Sequence, residues 1–309
     1  MKHIFVVNPC AGKHDCGDEI AAAIDLADLD AETYGTTGPR DATRFVTQWC
    51  RDHRGEAVRF HACGGDGTLN EVVSGVLEAA AEGNGGSHVE VSCDPCGSGN
   101  DFVKYFAGAD FTDVAALAAA SAVEVDAMRV TTAQGVRYCI NTLNFGFEAE
   151  VCRTMSDVRR KPLIGGKMAY TTGIVRGLAT GMKNPCRMTV DGEVWHQGDL
   201  LLAGVANGMY DGGGYRCAPR AMADDGLLEV LAIAPMSIPR FAKMIGSYER
   251  GTHLDDPRLA DVLRYRRGRT ITIESQRPFF IATDGELLSG THFDVECLNK
   301  AVRFAVPTK

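Results

Sequence analysis

The stretch RFHACGGDGTLNEVVSGV, residues 59–76, joins a short apolar run to an amphipathic run through a glycine-rich turn. The apolar run stops at Gly64 and Gly65, and the amphipathic run follows Asp66. Glycine allows close approach of a ligand to the backbone, and free N–H groups at a helix N-terminus bind phosphate oxygens. The turn has neither the lysine of a P-loop nor the complete dinucleotide glycine pattern. It therefore predicts a strand–turn–helix unit that meets an anion with backbone groups.

Strand-like and helix-like patterns alternate on both sides of this stretch. HIFVVN, AVRFHACG and VEVSCD are typical of strands, whereas residues 16–29 and DATRFVTQWCRDH are typical of helices. Strands that alternate with helices of this length predict a parallel sheet covered on both faces. Anionic ligands of such sheets bind at the carboxyl ends of the strands.

The pattern changes at about residue 122, where hairpin signals begin. One example is CRMTVDGEVWHQGDLLLAGVA, with Asp191 and Gly192 at the tip. Helical patterns at 165–180 and 238–251 interrupt this β-rich half. We therefore predict an α/β domain with a doubly wound, mostly parallel sheet at 1–125. A β-rich, antiparallel, sandwich-like domain follows at 126–309, with its last strand free to return to the first domain.

Composition excludes some classes of protein. The 309 residues are 45% hydrophobic and carry a formal net charge of −8, which argues against nucleic-acid binding. The N-terminal apolar run is too short for a signal peptide, and no run reaches the roughly eighteen residues of a membrane span. We expect a cytoplasmic protein with at most peripheral membrane contact. The eleven cysteines have the spacing of buried thiols, and Cys93 with Cys96 is weak evidence for zinc or redox chemistry.

Four predicted strands lead into loops of similar character. These loops are NPCAGK (8–13), GTTGPRDA (35–42), GGDGTLNE (64–71) and DPCGSGND (94–101). At one edge of a sheet they would form a single anion site. The alternative is a set of tight turns in which Thr68, Asp41 and Asn100 cap helices. Asp66 suits either a magnesium network or an N-cap.

These loops, together with TDGE (283–286), resemble the catalytic domain of the diacylglycerol kinase and sphingosine kinase family, especially its bacterial lipid kinases. Later segments resemble that family's blocks in the same order: NTLNFGFEAEV (141–151), GGGYRCAPRAMADDGLLEV (212–230), GTHLDDPRL (251–259) and FDVECLNKAVRF (293–304). The resemblance implies the fold shared by NAD kinases and diacylglycerol kinases. It spans the whole chain.

The resemblance also implies roles for individual residues. Glu286 would be the catalytic base, with Asp284 and Asp66 in the network around magnesium. A structural magnesium ion would be held by the carboxylate of Asp225 and by the carbonyl groups of Met222 and Leu227. ATP would be bound by residues of the four loops: Asn8, Pro9, Gly12, Thr36, Gly64, Gly65, Asp66, Gly67, Thr68, Leu69, Asn70, Ser98, Asn100 and Asp101. The family commonly has threonine where Ser98 stands, which keeps the hydroxyl group.

The implied reaction transfers the γ-phosphoryl group of ATP to a lipid hydroxyl, such as that of diacylglycerol, to give phosphatidic acid. The implied partner is a lipid at a membrane surface, and the sequence leaves a homodimer open. Three further features are open to two interpretations each. Lys13 is either near the phosphates or solvated. Residues 167–182 either line a lipid path or pack in the core. The segment RYRRGR (264–269) either meets anionic headgroups or forms a solvated hairpin.

Other functions remain as alternatives. An NAD kinase-like enzyme or another small-molecule kinase, such as a phosphofructokinase, also uses a glycine-acid loop. The segments GTLNEVVSGV and GSGNDF favour the lipid kinases. A non-catalytic nucleotide or lipid sensor is a further alternative, which the acids Asp66, Asp284 and Glu286 disfavour.

Overall fold

Four parallel strands form the first part of the protein, and the glycine-rich turns follow their carboxyl ends. The computed structural model describes residues 1–12, 15–86, 88–147, 149, 152–153 and 183–308. Lys13 and the predicted helical segment 165–182 lie outside them. The first elements, in chain order, are β1 (Lys2–Val7), α1 (Gly17–Leu26), β2 (Ala31–Gly35), α2 (Asp41–Asp52), β3 (Val58–Gly64), α3 (Asp66–Ala81) and β4 (Val89–Pro95).

β1 is apolar from Ile4 to Val7 because helices cover both of its faces. Along β1, Ile4 and Val6 face a core that α2 and α3 complete, whereas Phe5 and Val7 face a second core with α1. Alternate residues of a strand point to opposite faces, so a strand between two helical layers needs apolar side chains at both. The parallel pairs β2–β1, β1–β3 and β3–β4 follow from the strand–helix alternation.

Antiparallel strands dominate the rest of the protein. A 3-10 turn (Phe102–Tyr105) and α4 (Val114–Ala119) lead into them. The elements that follow are β5 (Ser121–Thr132), β6 (Gly135–Cys139), β7 (Thr142–Gly146), β8 (Asn184–Val190), β9 (Glu193–Leu200), β10 (Leu202–Ala206), β11 (Leu228–Ile233), α5 (Ile238–Glu249), β12 (Leu263–Gly268), β13 (Thr270–Thr283) and β14 (Glu286–Val306). The predicted hairpin at Asp191 and Gly192 is confirmed as the β8–β9 turn.

One strand joins the two halves into a single sheet. β14 pairs antiparallel with β13 at its start and with β5 along most of its length, and near its end Phe304 pairs in parallel with Val91 of β4. The sheet order is β12-β11-β10-β7-β13-β14-β4-β3-β1-β2. The predicted fold class, an α/β part followed by a β-rich part, is confirmed. The predicted division at residue 125 falls within β5, so the two parts share a strand.

The arginine cluster at 264–269 is not a solvated hairpin. It forms most of β12, which pairs with β11 at the end of the sheet. Arg266 pairs with Glu193 at 2.9 Å, and Arg264 donates to the carbonyl of Trp195 at 3.1 Å. These arginines therefore bind within the domain. No helix in the part of the chain that the structure describes is long and apolar enough to cross a membrane.

A buried ion pair holds α4 against the parallel strands. Arg59 on β3 and Glu90 on β4 are each 4% exposed, and their closest atoms are 2.6 Å apart. The same guanidinium donates to three carbonyl groups at the end of α4, those of Leu117, Ala118 and Ala120. Since buried charges and carbonyl groups need partners, one arginine satisfies the end of a helix and a neighbouring carboxylate together.

We expect Arg59→Ala to lower the free energy of unfolding by about 3–5 kcal/mol, because Glu90 would keep only Arg303 as a partner and three carbonyl groups would lose their donor. Urea unfolding followed by circular dichroism measures the change. Arg51→Ala, which breaks the exposed pair with Glu82, is the matched control and should have a much smaller effect. Equal losses in the two variants would contradict the structural role of Arg59.

Candidate active site

The four predicted loops meet at one edge of the sheet, where backbone hydrogen bonds connect them. The N–H of Asn8, after β1, donates to the carbonyl of Cys63 in β3 at 2.9 Å. The N–H of Thr36, after β2, donates to Val7 at 2.8 Å, and that of Gly97, after β4, donates to Gly64 at 3.1 Å. The loops therefore form one continuous wall.

Side chains link the first loop to α3. The side-chain amide of Asn8 donates to the hydroxyl of Thr68 at 3.0 Å, and its oxygen accepts from the N–H of Cys10 at 3.0 Å. Thr68 lies inside α3, whose N-cap is Gly65. The interpretation of Thr68 as a helix cap is therefore wrong. Its hydroxyl fixes the β1 loop against the glycine-rich turn instead.

Three glycines bring the backbones of different loops into contact. A Cβ atom on Gly97 would lie 2.3 Å from the Cα of Gly65, and one on Gly12 would lie 2.2 Å from the carbonyl oxygen of Cys96. Gly12 also has a φ of +70°, which favours glycine. The wall thus presents bare backbone where any larger residue would part the loops. Such a surface fits a polyphosphate chain.

Asp66 begins α3, but it does not cap that helix. Its Oδ1 accepts from the N–H groups of Asp101 at 2.6 Å and Phe102 at 3.4 Å, both in the loop after β4. Burial raises the pKa of Asp66, and the charge of Asp101 raises it further, against these two hydrogen bonds. A carboxylate held this way joins two loops. Its second oxygen faces Gly99, where a Cβ would lie 2.7 Å away.

The loop after β4 is shaped by its own polar residues. Asn100 has a φ of +55°, and its side-chain amide donates to the carbonyl groups of Pro95 at 2.8 Å and Gly97 at 2.9 Å. It therefore closes the loop rather than capping a helix. Asp101 bonds Lys104 at 2.6 Å and accepts from the N–H of Gly213 at 2.7 Å, so this loop also contacts the β-rich part.

The other predicted nucleotide residues differ in what they offer a ligand. Pro9, Gly67 and Ser98 are exposed at the wall. Leu69 is 4% exposed and packs in the core, so its side chain cannot contact a nucleotide. The prediction of Leu69 as a nucleotide-binding residue therefore concerns its backbone alone. Asp41, the third predicted cap, accepts instead from the N–H of Thr37 at 2.8 Å and fixes the β2 loop.

The TDGE motif is the tight turn between β13 and β14. Thr283 and Glu286 pair across it, and the two central residues have positive φ angles, 45° at Asp284 and 86° at Gly285. Asp-Gly is the preferred sequence for such a two-residue turn. The turn points the side chain of Asp284 back into the protein, where it is 8% exposed.

Backbone donors hold the Asp284 carboxylate. It accepts from the N–H groups of Ile140 at 2.8 Å, Asn141 at 3.2 Å and Thr142 at 2.8 Å. Burial nevertheless raises the pKa of Asp284 to about 7, with a further rise from the charge of Asp66. Asn70, in the orientation that satisfies its amide, donates to Asp284 at 3.1 Å. Asn70 on α3 thereby connects the glycine-rich turn to the TDGE turn.

Glu286 lies two residues after Asp284, and its carboxylate is held by fewer hydrogen bonds among the described residues. Among the described residues its carboxylate has no hydrogen-bond donor, and it is partly exposed. Burial raises the pKa of Glu286, and the charge of Glu71 raises it further, while Arg40 and Arg137 oppose the shift. A half-buried carboxylate of raised pKa with open oxygens can accept a proton from a ligand.

The sequence analysis missed Asp211 and Asn144. The side-chain amide of Asn144 on β7 donates to the carboxylate of Asp211, and burial raises the pKa of Asp211. Asp211 precedes three glycines, Gly212–Gly214, all with positive φ angles. That glycine cluster was the available signal, since it resembles the phosphate-site turns in composition. Asn144 gave no such signal, because its contact with Asp211 depends on the pairing of β7 with β10.

The predicted structural magnesium site does not fit the observed contacts of Asp225. One of its oxygens forms an ion pair with Arg267, and the other accepts from the N–H of Leu227 at 3.1 Å. Within the described ranges no group of three or more His, Cys, Asp or Glu side chains is arranged to hold a metal, but the predicted site needs only one carboxylate and two carbonyl groups. The pairing of both Asp225 oxygens is therefore what counts against this site. Met222, the third predicted ligand residue, is 50% exposed.

The fold as a whole is similar to that of two solved structures. A diacylglycerol kinase structure from Bacillus anthracis str. Sterne is similar with a TM-score of 0.67 at 18% identity, covering 99% of this chain and 96% of that one. An NAD kinase from Archaeoglobus fulgidus in complex with ATP gives a TM-score of 0.50 at 11% identity, covering 100% and 94%. These likenesses define the fold class, which is that of diacylglycerol kinases and NAD kinases.

Sequence comparison narrows the class to a family. Residues 2–132 match the diacylglycerol kinase catalytic domain, and residues 141–306 match the YegS C-terminal NAD kinase beta sandwich-like domain. A protein of Xanthomonas euvesicatoria pv. vesicatoria (strain 85-10), named "Probable lipid kinase YegS-like", is 31% identical over 270 residues, which cover 86% of this chain and 84% of that protein. The chain belongs to the YegS-like lipid kinase family.

We expect Gly97→Ala to weaken ATP binding by about 10–100-fold, because the new Cβ would push apart the loops after β3 and β4. The affinity can be measured by titration calorimetry with a non-hydrolysable ATP analogue. Gly35→Ala is the matched control, since its Cβ would meet no atom within 4 Å. An unchanged affinity in Gly97→Ala would show that the close contact with Gly65 does not shape the site.

The free energy of unfolding should decrease as the pH rises, because Asp284 then loses its proton. Because the pKa of Asp284 in the folded state, about 7, lies above its ordinary value of 3.8, the folded state binds more protons than the unfolded state between these two values. This stabilisation is greatest at low pH and is lost as the pH rises through about 7. Without metal or nucleotide, the free energy of unfolding should fall less between pH 5 and pH 8 in Asp284→Asn than in the wild type.

Urea titrations at four pH values over that range measure this difference. Asp110→Asn, which changes an exposed carboxylate, is the control and should keep the wild-type slope. Parallel slopes for wild type and Asp284→Asn would mean that Asp284 is already ionised at pH 5.

Proposed function

We propose that the protein transfers the γ-phosphoryl group of ATP to the hydroxyl group of diacylglycerol, giving phosphatidic acid and ADP. One observation carries the proposal: the TDGE turn of the second domain lies against the glycine-rich turn of the first, through the contact of Asn70 with Asp284. This arrangement supports a phosphoryl donor on one side of the cleft and an acceptor on the other. Phosphoryl transfer depends mainly on such positioning and on neutralisation of charge.

The donor side is proposed to be the four-loop wall. Backbone N–H groups of the turn at Gly64–Thr68 and the loop at Cys96–Asp101 would meet the phosphates, and Asn8 and Thr36 would border the nucleotide. Asp66 is the acid nearest this cradle, and its second oxygen would hold magnesium that arrives with ATP. Bound magnesium supplies the positive charge that the loop, which lacks a P-loop lysine, does not provide.

The acceptor side is proposed to be served by Glu286. Its carboxylate takes the proton of the lipid hydroxyl as the oxygen forms a bond to the γ-phosphorus and the bond to the ADP oxygen breaks. The lack of a hydrogen-bond donor among the described residues and the raised pKa of Glu286 both suit a base. Asp284, held by three N–H groups, suits a fixed role in positioning the magnesium network instead.

An acceptor screen tests the proposal. Purified protein is incubated with ATP, with and without magnesium, and with mixed micelles of diacylglycerol, sphingosine or undecaprenol, or with NAD. ADP release and the phosphorylated product are both measured. Magnesium-dependent phosphatidic acid is the expected result. Turnover of NAD alone would overturn the lipid kinase proposal, and binding of ATP without turnover of any acceptor would favour a sensor.

We expect Glu286→Gln to lower kcat by about 10²–10⁴-fold with little change in the KM for ATP, because the amide cannot accept the proton. Glu296→Gln on the same strand is the matched control, since Glu296 is exposed and pairs with Arg129. If Glu286→Gln keeps near-native turnover while Asp284→Asn abolishes it, the base is Asp284.

A further inference from the structure

The β-rich domain contains a loop whose acidic residues converge on one arginine. This loop, residues 222–227, follows the sequence MADDGL. Arg267 on β12 forms a short ion pair with Asp225 and places its Nε 2.7 Å from the carboxylate of Glu229. Glu229 is 2% exposed on β11, so the guanidinium reaches from the loop into the domain interior.

Other contacts hold the same loop from the opposite side. Asp126 on β5 is fully buried, and its two oxygens accept from the N–H groups of Gly226 and Lys300, each at 2.6 Å. The N–H of Asp126 donates to the carbonyl of Ala223 at 2.6 Å. The loop is therefore fixed between β5, β14 and β12. Asp126 fixes the backbone of this loop, and Arg267 forms an ion pair with the loop carboxylate of Asp225.

The local charge balance makes the arginine important. Burial raises the pKa of Asp126 and of Glu229, and the charge of Asp225 raises both further. Several carboxylates this close together need a cation in order to stay ionised. Arg267 supplies one from the chain, and with it both oxygens of Asp225 have protein partners.

We propose that Arg267 takes the place of a structural divalent cation in this protein. The guanidinium bridges Asp225 and Glu229 as a metal would and locks the 222–227 loop without any ion. The requirement for magnesium then belongs to the nucleotide site alone. This inference concerns folding and stands apart from the proposed function.

Hydrogen bonds connect the 222–227 loop to the loops of the candidate active site. The N–H of Ala223 donates to the hydroxyl of Tyr105 at 3.3 Å. Tyr105 ends the 3-10 turn that follows the loop after β4, and Asp101 at the start of that turn contacts Gly213. The 222–227 loop is therefore one of the contacts between the domains. A permanent cation at this position keeps the junction intact whether or not magnesium is bound elsewhere.

Thermal unfolding of the full-length protein without nucleotide or lipid tests the proposal. The wild type should have the same Tm in EDTA and in millimolar magnesium. Arg267→Ala should lose about 5 °C or more in EDTA, because Asp225 and Glu229 would be left without a cation. Magnesium should restore part of that loss, since the freed carboxylates are hard oxygen ligands for it.

Two further variants make the result specific. Arg266→Ala is the matched control, because it removes a neighbouring arginine from an exposed pair and should show neither the loss nor the response to magnesium. Arg267→Lys keeps a cation and should remain insensitive to magnesium, and it serves as the test if Arg267→Ala does not fold. A change of Tm with magnesium in Arg267→Lys would overturn the proposal.

Other outcomes would also overturn it. If magnesium raises the Tm of the wild type and Asp225→Ala abolishes that rise, the ion predicted from the resemblance is present after all. If Arg267→Ala loses stability with no recovery in magnesium, the arginine is an ordinary ion-pair partner rather than a substitute for a metal. None of these outcomes depends on which substrate the kinase uses.

Discussion

The hydrogen-bond ladder of β14 fixes the geometry on which the candidate site depends. The strand starts at Glu286, directly after the turn that carries Asp284, and near its end Phe304 pairs with Val91 of β4. A ladder cannot slip by one residue without turning every side chain to the other face. The register of a single strand therefore sets the distance between the TDGE turn and the loops that follow the parallel strands. The contact between the TDGE turn and α3 is a consequence of strand pairing rather than of two bodies that dock through their surfaces.

The carboxylates of the candidate site are at least partly buried, which makes their charged forms costly unless a cation is bound beside them. Burial raises the pKa values of Asp66, Asp211, Asp284 and Glu286. The charge of Asp66 further raises the pKa of Asp284, and the charge of Asp101 further raises the pKa values of Asp66 and Asp211. Backbone N–H groups offset part of this cost at Asp66 and Asp284, but they bring no full positive charge. The charged forms are thus favoured when a cation shares the site. Binding of a metal-bound nucleotide and loss of protons should be coupled for that reason.

Local sequence pattern predicted the fold class and the four loops, because periodicity and glycine content are properties of neighbouring residues. The glycines of these loops predicted close approach of a ligand, whereas the contact between the backbones of Gly97 and Gly65 is visible only in the structure. Long-range pairing determined what the sequence did not show. The interpretation of Thr68 as a cap was wrong because its partner, Asn8, lies 60 residues away. Asn100 is not a cap either, because its side chain closes its own loop through Pro95 and Gly97. Likewise Asn144 on β7 reaches Asp211, which follows β10, because β7 pairs with β10.

The acidic residues of the candidate site and those of the 222–227 loop differ in whether the chain itself supplies a cation. Among the described residues, no lysine or arginine forms an ion pair with Asp66, whereas Asp225 has Arg267. A site that must bind and release a charged substrate at each turnover is poorly served by a resident guanidinium, which would occupy the carboxylate between cycles. A loop that only needs to stay closed gains from a cation that cannot dissociate, because its stability no longer depends on the concentration of free metal. In the two proposals, the same carboxylate chemistry is therefore met by an exchangeable ion at the candidate site and by a covalently attached cation, Arg267, in the β-rich domain.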